Sequence, residues 1–304
     1  MNIHDTIIQF NHPTAIAIGS FDGIHLGHRS VIENCVSKAK EKGLESLVLS
    51  FQNHPKTITQ PTQVPQLLTQ AHEKQRILSD LGVDHALIVP FDTLFSQQSP
   101  DTFIEDILIH QLKAKYISVG YNFRFGHQAQ GTPERLNHYE SQFKVHVQDP
   151  FKVNGQIVSS TLIRKTLIEG DFKQALEWLG GSFLIHGEVV RGQGIATSVL
   201  GIPTANLSLE KTKLIPKKGV YLCDIILPNQ SRHQGIVNIG NRPTFKGIEL
   251  STEAYIFDFE GDLYGQEITL YLKRFIRPEQ RFSGPEALKE QIQKDIQQAK
   301  SQLK

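Results

Sequence analysis

A chain of 304 residues, 39% hydrophobic and 21% charged, has the make-up of an ordinary globular protein and more length than one core usually supports, so two domains are expected. Thirty-two basic against thirty-one acidic side chains, a formal net charge of +1, leave no electrostatic footprint for nucleic acid or an anionic membrane. The start, Met1-Asn-Ile-His-Asp5, lacks the basic and apolar regions of an export signal, and no run could span a bilayer, so a cytoplasmic protein without a membrane partner is expected. Cys35 and Cys223 fall in different expected domains and read as small buried apolar residues rather than a disulfide.

The first element is a strand at Thr14–Gly19, whose Ala15-Ile-Ala-Ile run has no polar alternation and therefore fits burial on both faces. A glycine turn, Gly19-Ser20-Phe21-Asp22-Gly23-Ile24, leads into a helix with Val31, Ile32, Cys35, Val36 and Ala39 at helical spacing. The turn thus sits at the carboxyl end of a strand and the amino end of a helix, the place where open parallel sheets bind anions. His25-Leu-Gly27-His28 lies there, which makes the pair a candidate phosphate site. A capping histidine pair is the plain alternative. Zinc fits less well, because no third ligand lies nearby and Cys35 falls on the apolar face of the helix.

Strands follow at 46–51, 85–90, 115–120 and 143–148, separated by helices near 71–82, 100–112 and from Pro133, an alternation that implies a parallel sheet with helices on both faces. The Pro-, Thr- and Gln-rich stretch 52–70 reads as a loop, more a mobile flap over the site than a linker. Asn53-His54-Pro55 and Gly120-Tyr-Asn122-Phe123-Arg124-Phe125-Gly126 follow two of the strands, and an amide, an arginine and aromatic faces suit a planar heterocycle carrying phosphate. Ser159-Ser160-Thr161-Leu-Ile-Arg164 opens a helix; its hydroxyls can cap it or hold phosphate, and Arg164 in the first turn opposes the dipole unless an anion is bound.

From about Ser182 the grammar changes to β segments near 183–190, 219–227, 234–239, 252–259 and 267–275, divided by Gly, Pro and Asn turns, as in an antiparallel barrel. A last helix, 285–303, carries the stripe Leu288, Ile292, Ile296, Ala299. The run Leu200-Gly201-Ile202-Pro203-Thr204-Ala205-Asn206 reads as a loop. Arg191-Gly192-Gln193-Gly194 lacks the third glycine and the following helix of a dinucleotide fingerprint, and no Gly-Lys pair exists to make a P-loop.

Over essentially its whole length the chain resembles the prokaryotic bifunctional riboflavin kinase/FMN adenylyltransferases. The motifs that carry the resemblance are Gly19 to His28, Gly120 to Gly126, Ser160 to Arg164, the Pro203-Thr-Ala-Asn206 turn, and the runs 238–245, 253–265 and 275–282. The fold so implied is α/β: a Rossmann-like nucleotidyltransferase domain with a parallel sheet over 1–182, and an antiparallel β-barrel riboflavin kinase domain with a terminal helix over 183–304.

The activity implied is phosphorylation of riboflavin to FMN and adenylylation of FMN to FAD, with Mg²⁺ accompanying ATP, and with ATP, riboflavin and FMN as the partners. In the first site the resemblance assigns Ser20, Phe21, Asp22, His25, Gly27 and His28 to ATP, and Ser160, Thr161 and Arg164 to the departing pyrophosphate. His54, Asn122, Arg124 and Arg277 are implied for flavin. In the kinase site Gly192, Gly201 and Pro203 go to ATP, Thr204 and Asn206 to Mg²⁺, and Glu253 to the catalytic base. The sequence departs from the family pattern at Thr197-Ser198, where Gly-Arg is usual, at Asn53, where Pro is common, and at Tyr121, where an acidic or small residue is frequent. A chain keeping one activity, or a flavin-binding regulator on the same scaffold, are the alternatives; the presence of His25, His28, Thr204, Asn206 and Glu253 together argues against a bare binder.

Overall fold

The computed structural model describes residues 1–191, 204–244 and 247–302, with backbone alone at 242–244 and 247–249. Two units are delimited, Met1–Leu162 and Ile163–Lys304. The division falls earlier than the change of pattern near residue 182, because it groups two helices that precede the β-rich part with the second unit.

The first unit is built on a six-stranded sheet whose strands are β1 (Asn2–His4), β2 (Thr14–Ile18), β3 (Glu45–Phe51), β4 (His85–Val89), β5 (Ala114–Gly120) and β6 (Lys144–Gln148), in the order β1-β4-β3-β2-β5-β6. All the pairings are parallel. The edge strand β1 went unread in the sequence because three residues carry no period. All five residues of β2 are buried, as a strand covered on both faces requires.

Ile16, Ile18, Leu47, Leu49, Leu87, Val89, Ile117 and Val119 point to one side and pack with Phe103, Ile104, Ile107 and Leu108. The alternate positions Ala15, Ala17, Ser46, Val48, Tyr116 and Ser118 point to the other, where α1 (Leu26–Lys42) lies, its Val31 carbonyl accepting the Ser118 hydroxyl and its Asn34 side chain the Tyr116 hydroxyl, both at 2.9 Å. α1 ends at Gly43 in the left-handed conformation, with Lys40 and Lys42 in its last turn to complement the dipole.

The remaining helices of this unit are short. α2 (Lys56–Thr59) and a 3₁₀ turn at Pro61–Gln63 occupy the stretch expected to be a loop, which ends in the buried Leu67, Leu68, Thr69 and Gln70. The mobile-flap reading is corrected to that extent, since its last residues are part of the core. α3 (Ala71–Asp80) starts with a capping box between Gln70 and Glu73. α4 (Thr93–Ser96) and α5 (Pro100–Thr102) follow β4, and α5 runs into a π-helical stretch, Phe103–Gln111. α6 (Pro133–Asn137) precedes β6, and a small hairpin, β7 (Lys152–Val153) with β8 (Gln156–Ile157), precedes α7 (Ser160–Glu169).

In the second unit α8 (Phe172–Leu179) precedes a closed antiparallel barrel. Its strands are β9 (Phe183–Val190), β10 (Ala205–Ser208), β11 (Gly219–Ile226), β12 (Arg232–Thr244), β13 (Gly247–Ile256) and β14 (Glu267–Pro278), ordered β10-β13-β12-β11-β14-β9 and closed by β9 on β10. Ala205 and Asn206 therefore belong to a strand, not to the loop expected from the Pro203 turn. Tyr221, Val237, Ile239 and Ala254 are fully buried on the inner face. The outer positions Val220, Leu222 and Ile236 pack instead under α9 (Pro285–Ser301), against Ile296 and Ala299.

The apolar stripe of α9 conceals one charge. Asp295, 1% exposed, receives Arg277 Nε at 2.9 Å and Nη2 at 2.7 Å, together with Gln291 Nε2 at 2.9 Å. Removing one partner of a buried pair strands the other. Asp295→Ala is expected to destabilise the barrel unit by about 3 kcal/mol, read by denaturant unfolding. Lys300→Ala, which breaks the exposed pair with Asp258, is expected to shift the same midpoint by less than about 1 kcal/mol.

Candidate functional site

The strand order reverses at β2, whose neighbours are β3 on one side and β5 on the other, so the crevice beyond its carboxyl end is the place for a ligand. The turn 19–25 fills that position in an unusual backbone conformation. Phe21 (φ 44°) and Ile24 (φ 37°) are both in the left-handed region, as is Gly23 (φ 93°). A β-branched residue rarely adopts that conformation, and each such residue costs on the order of 1–3 kcal/mol.

Surrounding groups hold the turn there. Thr69 Oγ1 accepts the Gly23 amide at 2.8 Å, and the Asp22 carboxylate accepts the Thr69 amide at 3.0 Å. Lys74 Nζ donates to the Ser20 carbonyl at 2.8 Å, Arg29 Nε to the Ile24 carbonyl at 3.1 Å, and the Ser160 hydroxyl to the Asp22 carbonyl at 2.7 Å. Phe21 and Asp22, both named as ATP residues from the sequence, are buried. The Phe21 ring stands edge-on to His28 at 5.4 Å, and the Asp22 carboxylate faces Thr69 rather than solvent. Their side chains shape the loop, and what they leave to a ligand is backbone.

His25 is the N-cap of α1. Its Nδ1 accepts the His28 amide at 3.3 Å, which puts the ring proton on Nε2. The two imidazoles stack at 3.7 Å and 18°, and a Cβ on Gly27 would lie 3.2 Å from the His25 ring, so glycine there leaves the stack its room. His28 Nδ1 is shielded from solvent and has no hydrogen-bond partner among the described residues. The first turn of α1 carries no acidic residue, so the positive end of the dipole faces the crevice unopposed.

Burial holds both rings neutral. It lowers His25 to about 4 against the favourable charge of Asp22, and it lowers His28 well below its ordinary value with help from His25 and Lys74. The pair is therefore a set of uncharged donors beside the positive end of the α1 dipole.

The flanking loops complete the rim. Asn53 pairs with Phe91 as a peptide would, Nδ2 donating to the carbonyl at 2.9 Å and Oδ1 accepting the amide at 2.8 Å. This ties the loop after β3 to the loop after β4, and it accounts for an amide where the family often has Pro. His54 Nδ1 accepts the Lys56 amide at 3.1 Å. In the loop after β5, Tyr121, Asn122 and Arg124 are exposed, but Phe125 is buried in the core and stacks on Phe123 at 5.5 Å. The expected pair of open aromatic faces is thus corrected: Phe125 anchors the loop, and the polar side chains remain for a ligand. Ser159 caps α7 through the Leu162 amide, which frees Ser160 for Asp22; Thr161 is exposed, and Arg164 follows one turn along the helix.

In the barrel unit, register assembles a second row. Asn206 on β10 is opposite Glu253 on β13, Glu253 opposite Asn238 on β12, Asn238 opposite Val220 on β11, and Val220 opposite Arg277 on β14. Neighbours in the row are about 5 Å apart, and Glu253 and Arg277 stand about 14 Å apart along the sheet. Ser251 Oγ donates to Glu253 Oε1 at 2.7 Å, which orients the carboxylate from its own strand. Arg277, assigned to flavin from the sequence, is paired with Asp295 of α9. Thr204 lies half-buried just before β10, while Gly192, Gly201, Pro203, Thr197 and Ser198 lie outside the described residues. Among the described residues no cluster of three His, Cys, Asp or Glu exists to hold a metal ion by protein ligands alone.

Sequence reasoning overlooked Lys74, Thr69, Ser251 and Asn238. Only Asn238 carried a signal, as the first residue of the run 238–245. Cys35 and Cys223 are free and buried as expected, with burial pushing the Cys35 thiol up to about 12 and the Cys223 thiol up as well.

The depressed imidazoles make the first unit acid-labile. Between pH 6.5 and about 4 the unfolded chain binds a proton at His25 that the folded chain refuses, so stability is complete above 6.5 and falls as pH drops through that window. The His25 share amounts to about 3 kcal/mol. His25→Asn, which keeps a cap, is expected to flatten the acid limb of the unfolding midpoint; a limb of unchanged slope would contradict the assignment.

Comparison with known proteins adds the family. The FAD synthetase model matches residues 7–162 and the riboflavin kinase model residues 179–303. Proteins described as bifunctional riboflavin kinase/FMN adenylyltransferase are 35% identical in Haemophilus influenzae (94% of this chain, 93% of the relative) and in Escherichia coli K12 (92% and 90%). The Listeria monocytogenes relative of the same description is also 35% identical, over 94% of this chain and 91% of its own. A crystal structure described as a macrolide-efflux protein from Streptococcus pneumoniae superposes with a TM-score of 0.84 at 27% identity, covering 98% of each chain. No described helix of the present chain is long and apolar enough to cross a membrane. Both family models and relatives matched nearly end to end lead to one statement: the chain belongs to the bifunctional riboflavin kinase/FMN adenylyltransferase family.

Proposed function

We propose that the first unit joins the adenylyl group of ATP to FMN at the His25–His28 loop, and that the second phosphorylates riboflavin beside Glu253. The observation that carries the reading is the pairing of two matched family models with two separate constellations, one at a sheet's switch point and one along a barrel row. The functional division is proposed at 1–182 and 183–304, in the cytoplasm and without a nucleic-acid partner.

In adenylyl transfer the attacking group is the FMN phosphate, already an anion, so no general base is required. His25 Nε2–H and His28 donate to the triphosphate, the α1 dipole favours its charge, and Ser20 and Gly27 offer backbone at the rim. Ser160, Thr161 and Arg164 receive the departing pyrophosphate, and His54, Asn122 and Arg124 hold the flavin side. Positioning and charge neutralisation supply the rate.

Phosphorylation of riboflavin starts from an alcohol and needs a base. Glu253, held at Oε1 by Ser251, accepts the ribityl hydroxyl proton at its other oxygen as that hydroxyl attacks the γ-phosphorus and the bond to the β-phosphate oxygen breaks, releasing ADP. Thr204 and Asn206 supply hard oxygen donors of the kind Mg²⁺ prefers, and a site with few protein ligands suits an ion that keeps waters and phosphate oxygens. Mg²⁺, when bound with ATP, neutralises charge on the phosphates. Gly192, Gly201 and Pro203 are assigned to the ATP of this site. Arg277, held in place by Asp295 of α9, is assigned to the flavin.

Incubation with riboflavin, ATP and Mg²⁺, followed by chromatography, tests the whole reading: FMN and FAD should both form. Glu253→Ala is expected to lower FMN formation by about 10²–10⁴-fold while FAD formation from supplied FMN stays within twofold. His28→Ala is expected to do the reverse, lowering FAD formation by about 10²–10³-fold. Loss of both products in either variant would contradict separate sites.

A further inference from the structure

Lys74 is 3% exposed, yet its ammonium has a full set of acceptors: the Ser20 carbonyl at 2.8 Å, the Phe51 carbonyl at 2.7 Å and the Ser50 hydroxyl at 3.3 Å. The Ser50 hydroxyl in turn donates to the Ser20 carbonyl at 3.0 Å. Three donors thus meet three neutral oxygens at the carboxyl ends of β2 and β3. Taking a lysine out of water is unfavourable, and packing alone would be served as well by methionine or leucine. The ammonium gathers the carbonyl that opens the left-handed turn and the carbonyl that opens the loop carrying Asn53 and His54.

We infer that Lys74 is a positioning residue for adenylyl transfer, its buried ammonium locking the turn 19–25 so that His25 and His28 face the α-phosphorus. The inference rests on the adenylyl-transfer reading of that loop. Two further observations support it. The turn contains two strained non-glycine residues, Phe21 and Ile24, which persist only where neighbours over-determine them. Lys74 also acts electrostatically on the imidazoles, since its charge is one of the causes that lower His28. The same charge adds positive potential beneath a site that must receive a polyanion.

The ionisable groups facing Lys74 are Asp22, which favours its charge, and His28, whose protonation Lys74 disfavours; β3 presents Ser50 and the Phe51 carbonyl. On its own helix Glu73 caps the Gln70 amide. Burial lowers Lys74 to about 8, so the lock loses a proton within an accessible range of pH.

The test uses the full chain and both of its activities. Wild-type FAD formation from FMN should decline as pH rises through about 8, while riboflavin phosphorylation shows no limb there. Lys74→Met should lower kcat for FAD formation by about a hundredfold with KM for FMN within threefold, and leave FMN formation within twofold. Lys74→Arg should move the alkaline limb upward, because its guanidinium stays charged. A wild-type profile without an alkaline limb near pH 8 would overturn the inference, and so would a Lys74→Met enzyme that keeps kcat within threefold. The wild-type profile and Lys74→Arg decide the matter even if Lys74→Met does not fold. His28→Ala measured alongside separates the two levels. If His28→Ala loses FAD formation and Lys74→Met does not, the positioning role fails alone; if neither loses it, the site reading itself fails.

Discussion

Everything in the first unit turns on keeping a short stretch of backbone in a conformation it would not choose. Ile24 in the left-handed region is unfavourable in isolation, and it survives because hydrogen bonds converge on the turn from β3, from the stretch before α3, from α1 itself and from the start of α7. None of these is exceptional alone. Together they leave the turn one arrangement, and that arrangement aims the stacked imidazoles and the amino end of α1 at the same point in the crevice.

The barrel solves its own positioning problem by different means. No strained turn is needed, because antiparallel register places Asn206, Glu253 and Asn238 side by side on successive strands. A strand pairing that slips by one residue would turn the whole row to the opposite face. The buried Val237, Ile239 and Ala254 prevent that slip by demanding the interior. Core packing and site geometry are therefore one requirement in this unit, whereas in the first unit the core supplies a platform and polar groups set the loop upon it.

Legibility in the sequence followed from how local each signal was. The β2–turn–α1 segment could be read outright, since an unbroken apolar strand, a glycine turn and a switch to helical spacing are all contiguous. Site residues came chiefly from motif resemblance, and the barrel row could not be seen in advance because register is a property of pairs far apart in the chain. Lys74 was hidden for a related reason: a lysine on an amphipathic helix reads as solvated, and its acceptors at Ser20 and Phe51 are more than twenty residues away. Asp295 escaped because the stripe of Leu288, Ile292, Ile296 and Ala299 describes the same face as wholly apolar. Asn206 reads as part of a loop because β10 is only four residues long and follows Pro203. Phe125 reads as open to ligand from its place in an aromatic loop, whereas its ring fills the core beside Phe103 at 5.3 Å.

The hydroxyls that reach α1 from the sheet carry a further implication. Ser118 and Tyr116 on β5 bond Val31 and Asn34 of a helix whose first turn carries the imidazoles. Bulk added at Ser118 would push the helix off the strand as a rigid lever, so a residue on β5, the strand beside the loop's own, sets the height at which the stacked rings meet their ligand.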